Sequence, residues 1–318
     1  GVARNEIIEV PLGHTEAFQE KTILVQNTHD GKKLARFTEL PSLSGQRFPI
    51  KSTLSEVAFK VMSLGEKYET NEFIIQFDSQ YRMVSVYDKI HQRELAKAGK
   101  AFNELIVYED LPMSYDAWNV EAYYREKPTL ITEVTKALVV EKGPIRDTLK
   151  IERTFCQSKI TQLIHFIHGT TQINFETTVD WHEQHSLLRA EFPVPVNAYE
   201  ATYDIQFGNV SRPVHHNTSW DQARFEVCGQ RWADLSDNSF GVALLTDSKY
   251  GFDAQYQHLG LSLLRGPKDP YEKADQGVHE FTYSIYSHEG NWRQGEVNRH
   301  AVELNVPCLV SRSDDQRS

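Results

Sequence analysis

The residues of this chain that could do chemistry stand mainly in loops between predicted strands. One such loop, residues 110–119, combines acidic and aromatic side chains. Tyr115 and Trp118 can stack on a sugar ring. Asp110 and Asp116 can accept hydrogen bonds from sugar hydroxyl groups. This loop is therefore a candidate carbohydrate-binding segment, and the alternative is a packed surface loop whose aromatic side chains hold it in place.

Arg265 is a second candidate, because it ends an apolar run and is followed at once by Gly266 and Pro267. The loop that follows holds Asp269 and Asp275. An arginine at such a position either closes a structural ion pair or binds an anionic or hydroxyl-rich ligand. The residues alone leave both alternatives open.

Histidines suggest metal sites only weakly. His165 and His168 are three apart, but their apolar neighbours indicate a strand, where residues three apart point to opposite faces, so we expect no metal site there. Of the adjacent pair His215 and His216, only one can face a given pocket if they lie on a strand. His216 is our candidate for substrate contact, and a solvated loop is the alternative.

Residues 180–183, Asp-Trp-His-Glu, place two carboxylates near each other, and glycosidases work with paired carboxylates. However, Asp180 and Trp181 should point to opposite faces of a strand. We therefore interpret this segment as a strand and not as a catalytic pair.

These residues need a β framework to position them. Residues 73–77 and 83–87 predict a hairpin, and residues 130–140, 145–155, 159–167 and 172–181 predict a regular series of strands. Further strands are predicted at 102–108, 203–207, 223–227, 241–245, 261–264, 279–286 and 301–309. Their spacing is typical of a sandwich or barrel, and no long helix interrupts them. Residues 21–26 and 34–40 predict a small β unit before residue 50.

Composition limits the classes of function. The chain has 318 residues, 40% of them hydrophobic, and a formal net charge of −10. That charge argues against nucleic acid or an anionic membrane as partner, and no apolar run approaches the length of a membrane span. Three scattered cysteines, Cys156, Cys228 and Cys308, predict buried free thiols in a reducing compartment. Because the chain starts at Gly1 without Met, we expect a fragment.

Several long motifs resemble the C-terminal half of the family 38 α-mannosidases, most closely the cytosolic and vacuolar branch. They read FGNVSRPVHHNTSWDQARFEV, RWADLSD, FGVALLTDSKYG and LSLLRGPKDPYEKADQGVHEFTYSIYSH, and the resemblance covers most of residues 70–306. It implies an all-β chain with a large galactose-mutarotase-like antiparallel β-sandwich, preceded by part of a smaller β domain. The implied division is a small domain or linker at 1–60, the sandwich at 61–310 and a disordered tail at 311–318.

The resemblance also implies roles. Family 38 enzymes are retaining exo-α-mannosidases with an aspartate nucleophile and a zinc ion held by His and Asp in an N-terminal domain. No His-x-Asp motif occurs here, so we expect no catalytic residue and no metal ligand in this chain. The resemblance places Arg265, with Asp275 as companion, at the active site, and brings loop 110–119 to the mannoside pocket.

The implied partners are mannose-containing oligosaccharides, the N-terminal catalytic domain of the same enzyme and a second copy of the chain. The implied location is cytoplasmic, with the vacuole as the alternative. An exposed apolar face is expected where the catalytic domain docks. Two rivals remain: a self-sufficient aldose epimerase-like or lyase enzyme, and a β-sandwich binding module whose sugar affinity depends on Trp118 or Trp220.

Overall fold

A computed structural model describes residues 3–13, 15–42, 44–52 and 59–313. Strands dominate it, and the helices are a 3₁₀ helix (Ala122–Glu126), α1 (Ser219–Gln222) and α2 (Val297–Asn305). The strands of the first part are β1 (Arg4–Val10), β2 (Glu16–Phe18), β3 (Leu24–Asn27), β4 (Lys33–Leu40), β5 (Ile50–Ser52), β6 (Met62–Ser63), β7 (Lys67–Glu69), β8 (Phe73–Phe77), β9 (Met83–Asp88), β10 (Arg93–Glu94), β11 (Glu104–Glu109) and β12 (Pro128–Leu130). The remaining strands are β13 (Glu133–Lys142), β14 (Arg146–Phe155), β15 (Ser158–Ile167), β16 (Gln172–Trp181), β17 (Ser186–Pro193), β18 (Glu200–Ile205), β19 (Gly208–Pro213), β20 (Val227–Cys228), β21 (Trp232–Ser236), β22 (Phe240–Thr246), β23 (Gly251–Ala254), β24 (His258–Arg265) and β25 (Gly277–Glu289).

Two large antiparallel sheets form a sandwich. In the part of the chain that the structure describes, one sheet has ten strands in the order β19-β18-β21-β22-β25-β16-β15-β14-β13-β6. The other has six strands in the order β12-β11-β17-β24-β23-β20. Their inner faces share one hydrophobic core, in which Phe175 and Tyr283 of the larger sheet meet Phe192 of the smaller sheet at ring distances of 5.8 and 6.0 Å. The predicted all-β sandwich is confirmed.

Alternation explains why the strand predictions succeeded in the larger sheet. Along β16, Ile173, Phe175, Val179 and Trp181 are buried, whereas Asp180 is exposed. Such period-2 burial is what a strand with one face on the core requires. The hairpin of β8 and β9 is also confirmed, as part of a four-stranded sheet in the order β10-β9-β8-β7.

The described residues before position 53 form a small β unit, as predicted. It contains a three-stranded sheet in the order β1-β4-β3, the pair β2-β5 and a hydrophobic cluster of its own around Phe18 and Phe37. A domain boundary near residue 60 remains a prediction. Residues 53–58, and residues 314–318 of the predicted disordered tail, lie outside the described residues.

Two of the predicted strands are wrong. Residues 301–309 are largely helix α2, whose buried Val297 and Ala301 and partly buried Leu304 follow a spacing of four and three residues, the period of a helix. Of residues 223–227, only Val227 is in a strand. Helix α1 precedes them, started by a capping box in which Thr218 and Asp221 satisfy each other's backbone N–H groups.

The prediction of buried cysteines is wrong for Cys156 and Cys228, which are exposed, and Cys308 is half-buried. Cys156 lies in the tight turn between β14 and β15 with a φ of 46°, and Cys228 ends the short edge strand β20. Neither position faces a core. Within the described ranges, no helix has the length and apolar character that a membrane crossing requires.

Candidate functional site

Loop 110–119 follows β11 directly and is fixed by Arg265 at the end of β24, which β17 separates from β11 in the same sheet. The Arg265 guanidinium donates through Nε to Asp110 Oδ2 at 2.6 Å, and its Nη2 lies at the same distance from that oxygen. Three further donations reach carbonyl oxygens of the loop, those of Asp116 (3.1 Å), Ala117 (3.3 Å) and Asn119 (2.8 Å). One side chain thus holds the loop at its first residue and again at residues 116–119.

The ion pair of Asp110 and Arg265 is largely withdrawn from water, with the Asp110 side chain 3% exposed. Burial raises the pKa of Asp110, and the charge and hydrogen bond of Arg265 oppose that effect. A carboxylate at this depth depends on its cation, because an unpaired buried charge is costly. The structure therefore shows a structural ion pair for Arg265, with Asp110 as partner, whereas the sequence offered Asp269 and Asp275.

Asp116 ties the same loop to the turn after β24. Its Oδ2 accepts hydrogen bonds from the backbone N–H groups of Lys268 (2.6 Å) and Asp269 (3.1 Å), and His185 Nε2 lies 3.4 Å away. Burial acts to raise the pKa of Asp116, but the two backbone donors and His185 outweigh it, so that this pKa lies below its usual value. Asp116 is occupied within the protein.

The aromatic side chains of the loop, in contrast, point outward. Tyr115 is 70% exposed and Trp118 is 67% exposed, and Met113 and Leu111 on the same loop are also exposed. The backbone beneath them is ordered by hydrogen bonds from Trp118 N and Asn119 N to Tyr115 O. The loop therefore presents unpaired apolar and aromatic groups on a fixed backbone, as a binding surface does.

The other predicted site residues are less closely associated. Asp275 is exposed, has a φ of 59°, and uses its carbonyl oxygen to bind His279. His216 is half-buried with its ring edge against Tyr256 at 6.1 Å, and its Nδ1 is a buried nitrogen without a hydrogen-bond partner. Neither residue contacts Arg265 in the structure.

A largely buried group of charged and polar residues lies on the outer face of the six-stranded sheet and was not predicted from the sequence. We call it the Arg189 cluster; it consists of Arg125, Arg189, Glu191, Glu226, Asp253, His258 and Ser262. Arg189 is 0% exposed, and its guanidinium binds Glu191 (2.9 Å), Glu226 (2.9 Å) and Asp253. Burial lowers the pKa of Arg189, but these carboxylates outweigh it, so that the pKa lies well above its usual value.

Strand alternation provided the one signal in the sequence. Leu188, Ala190 and Phe192 of β17 face the core, so Arg189 and Glu191 share the opposite face. A polar outer face normally contacts water, and nothing in the sequence indicated that two other segments cover it. Gly260 on β24 is part of the arrangement, because a Cβ there would collide with Asp253, Arg189 and Glu191.

The covering segments are the 3₁₀ helix and residues 225–226. Tyr124 packs edge-on against Tyr108 with ring centroids 5.0 Å apart and also contacts Phe225 at 6.4 Å. Arg125 binds Asp253 Oδ2 at 3.0 Å and donates to the Phe225 carbonyl oxygen at 3.4 Å. The segment that continues loop 110–119 is therefore joined to the segment that follows helix α1.

Within the cluster, Glu191, Asp253 and His258 bring three potential metal-ligand atoms within 4.8 Å of one another. These three atoms, Glu191 Oε2, Asp253 Oδ2 and His258 Nε2, have no well-directed hydrogen bond. However, both carboxylates already bind guanidinium groups, and His258 Nε2 lies 2.6 Å from Glu191 Oε2. A protonated histidine supplies the remaining positive charge without a second cation, so the residues fit a proton better than a zinc ion.

Two motifs remain, the histidines at 165 and 168 and the segment 180–183, and both lie at strand ends or within strands. His165 of β15 binds Thr148 and Glu176, whereas His168, just after the end of that strand, lies near Glu72 and Asp147, so the two histidines have different partners. In the 180–183 segment, Trp181 is fully buried and donates to the Arg265 carbonyl oxygen at 3.2 Å, and Asp180 is exposed. The interpretation as a strand is confirmed for Asp180 and Trp181, which end β16, whereas His182 and Glu183 lie in the connection that follows.

Taken together, the outer face of the six-stranded sheet offers anchored loops with exposed aromatic tips over a buried ionic layer. The carboxylates near these tips are engaged with Arg265 or backbone donors, which suits them to hold loops in place rather than to transfer protons. This arrangement can bind and position another molecule or domain.

Comparison with known proteins adds the family. The model of the "Glycosyl hydrolases family 38 C-terminal domain" matches residues 69–273. Alpha-mannosidase G of Dictyostelium discoideum is 42% identical over 250 residues, which are 76% of this chain and 23% of that protein. Human alpha-mannosidase 2C1 is 40% identical, over 74% of this chain and 23% of its own length. The chain thus spans less than a quarter of the length of these relatives.

Among solved structures, an alpha-mannosidase from Enterococcus faecalis V583 superposes with a TM-score of 0.69 at 14% identity, covering 96% of this chain and 40% of that one. At this identity the likeness shows a shared fold. In sequence and in fold, the chain belongs to glycosyl hydrolase family 38, of which it contains the C-terminal domain.

Proposed function

We propose that this chain is the non-catalytic β portion of a zinc-dependent, retaining α-mannosidase that removes terminal α-linked mannose from oligosaccharides. In this proposal the nucleophile and the zinc ion belong to an N-terminal catalytic domain outside the chain, and the zinc ion orients the mannose hydroxyl groups. The chain supplies part of the pocket rim and a surface on which the catalytic domain docks.

The observation that carries the proposal is loop 110–119. Its exposed Tyr115 and Trp118 stand on a backbone that Arg265 holds at one carboxylate and three carbonyl oxygens. A preorganised aromatic surface binds a sugar or a domain with little loss of conformational entropy. We propose that Arg265 acts mainly through this loop, and Asp275 and His216 remain weaker candidates for substrate contact.

The relatives support the reaction class, since they are named alpha-mannosidases. Exposed free thiols at Cys156 and Cys228 support a reducing compartment, and we propose the cytoplasm, with the vacuole as the alternative. We also propose that the protein forms a homo-oligomer.

The test is an assay of an aryl α-mannoside with zinc, using this chain alone and joined to its proposed catalytic domain. We expect activity only in the joined form. There, Arg265→Ala should lower kcat/KM about tenfold or more, equivalent to about 1.4 kcal/mol of transition-state stabilisation. Trp118→Ala should also lower it, whereas Tyr199→Ala, at an aromatic residue that is 88% exposed elsewhere, serves as the matched control and should not.

Two results would contradict the proposal. Turnover by the isolated chain would mean that it carries its own catalytic residues, as an epimerase-like enzyme or a lyase does. Sugar binding by the isolated chain that is lost on Trp118→Ala or Trp220→Ala, without any effect of Arg265→Ala in the joined form, would indicate a binding module.

A further inference from the structure

The Arg189 cluster contains an unbroken line of alternating charges that crosses from one surface segment to another. Arg125, on the 3₁₀ helix, binds Asp253 at 3.0 Å. Asp253 binds Arg189, and Arg189 in turn binds Glu226 at 2.9 Å on the segment after helix α1. The two inner charges therefore each have an opposite charge on both sides, and the two end charges have one on one side.

The Tyr124 ring covers the buried centre of this line, and the side chain of Arg125 at one end is 27% exposed. Tyr124 is 2% exposed, and its ring lies 5.1 Å from the Arg125 guanidinium and 5.9 Å from that of Arg189. Ion pairs are strengthened in such a low-dielectric environment, but each charge then depends strictly on its partner. Removing one member should therefore affect its neighbours along the line as well.

We infer that the Arg189 cluster is a positioning device that makes residues 120–127 and 219–228 behave as one unit on the six-stranded sheet. Two more contacts join these segments directly, the donation from Arg125 to the Phe225 carbonyl oxygen and the packing of Tyr124 on Phe225. Loop 110–119 runs into the first segment and Trp220, 76% exposed, lies in the second. Both aromatic tips are thereby held in one arrangement.

The desolvation free energy that the buried charges of the cluster require supports a role in positioning. Arg189, Glu191 and Asp253 are almost fully withdrawn from water, and an apolar layer of similar volume is often at least as stable. Directional contacts fix the orientation of the covering segments, which an apolar layer does less well. That the tips contact substrate or the catalytic domain rests on the proposed function, whereas the coupling of the two segments does not.

The variant Glu226→Gln tests the coupling in the complete protein by hydrogen exchange followed at peptide level. It removes the charge at one end of the line with little change in shape. We expect exchange about tenfold faster in 219–228 and also in 120–127, with strands β14 to β16 unchanged. Glu226→Asp, which keeps the charge, should restore much of the protection in both segments.

The matched control is Glu109→Gln. Glu109 pairs with Lys127 on the same segment, but the two side chains are 43% and 67% exposed, so exchange should not change. Arg125→Gln removes the charge at the other end of the line. It should speed hydrogen exchange in residues 219–228 as well as in 120–127, since coupling is reciprocal. This second variant also decides the matter if Glu226→Gln does not fold.

Loosening confined to the mutated segment in both variants would overturn the inference. The functional part has a separate readout, the KM and kcat of the complete enzyme for an aryl α-mannoside and an α-mannose oligosaccharide. We expect a raised KM for the oligosaccharide, with a smaller effect on kcat. If both segments loosen together while both constants stay unchanged, the coupling stands and the proposed rim function fails.

Discussion

Arg265 anchors loop 110–119 from the end of β24 through a buried ion pair with Asp110. Its position at a strand end beside a Gly-Pro turn indicated either an ion pair or a ligand. The structure shows the ion pair, but with Asp110, 155 positions away, instead of the nearby Asp269 or Asp275. Pairing across a sheet is set by strand order, and the antiparallel neighbours β11, β17 and β24 bring these two residues together.

Removing Asp110 should therefore destabilise the protein. In the variant Asp110→Ala the largely buried Arg265 loses its carboxylate partner, and breaking a buried pair in this way typically costs about 3–5 kcal/mol. Urea denaturation measures this as a lower midpoint at unchanged slope. Glu109→Ala, one residue earlier, removes only an exposed ion pair and should change the unfolding free energy by less than about 1 kcal/mol. Equal effects of the two variants would contradict the buried pair.

His258 gives a prediction about pH. Burial acts to lower the pKa of His258, but the charges of Glu191 and Asp253 and the contact with Glu191 outweigh it, so that this pKa lies above its usual value. A raised pKa means that the folded protein binds the proton more tightly than the unfolded chain does. The stability that His258 contributes is then fully present below about pH 6.5 and is lost as the pH rises through its folded pKa.

The measurement is the unfolding free energy of wild type and His258→Gln from pH 5.5 to 8.5. The difference in unfolding free energy between the two proteins should narrow as the pH rises.

Since the carboxylates of the cluster already bind guanidinium groups, we also expect that added Zn²⁺ does not raise the Tm of the wild type beyond that of His258→Gln. A Tm increase with zinc that needs His258 would show a metal site instead of a proton site.

At the scale of elements, the sequence was informative where one face of a strand is buried. Strands β14 to β16 were predicted nearly at their observed bounds, because their apolar residues alternate and clear turns separate them. The strand predicted at residues 301–309 was wrong, since a short apolar run suits either a strand or a buried helix. The decisive residue was Val297, whose spacing to Ala301 and Leu304 is helical but which lies before the run considered.

Helix α2 should depend on this buried edge. Val297 and Ala301 pack with Trp232, Ala243 and Leu245 of the ten-stranded sheet. Val297→Ala removes two buried methyl groups and should cost about 1–3 kcal/mol, the transfer free energy plus a cavity contribution. Tryptophan fluorescence can report the change, because Trp232 and Trp292 lie 5.1 Å apart beside the helix. Asn298→Ala, at the next and exposed position, should have little effect, and a similar loss in both variants would argue against the packing described.

At the scale of the molecule, polar contacts join the small β unit to the ten-stranded sheet. Gln26, 4% exposed, accepts from the backbone N–H groups of Ile145 and Arg146 and donates to the Arg146 carbonyl oxygen. Glu141 accepts from the His29 backbone N–H at 3.0 Å and lies 2.8 Å from His29 Nδ1. Single polar residues in the sequence could not indicate such docking, because their partners lie more than 110 positions away.

Acid should weaken this docking through Glu141. Burial acts to raise the pKa of Glu141. The hydrogen bond and charge of Arg146, together with hydrogen bonds from the backbone and side chain of His29, outweigh burial and lower this pKa to about 2. A lowered pKa means that the contribution of Glu141 is present above about pH 4.5 and is lost as the pH falls towards 2. Because the Glu141 side chain is 1% exposed, we expect this contribution to be about 3 kcal/mol at neutral pH.

The test compares wild type with Glu141→Gln at pH 7, 5, 4 and 3 in urea. The difference in unfolding free energy should be largest at pH 7 and should shrink below pH 4.5, because protonated Glu141 resembles the amide. Glu280→Gln, at an exposed position on the large sheet, should follow the wild type at each pH. Proteolysis of the small β unit should increase in parallel with the loss, since docking and Glu141 ionisation are linked. A difference that stays constant down to pH 3 would mean that the carboxylate charge does not hold the two parts together.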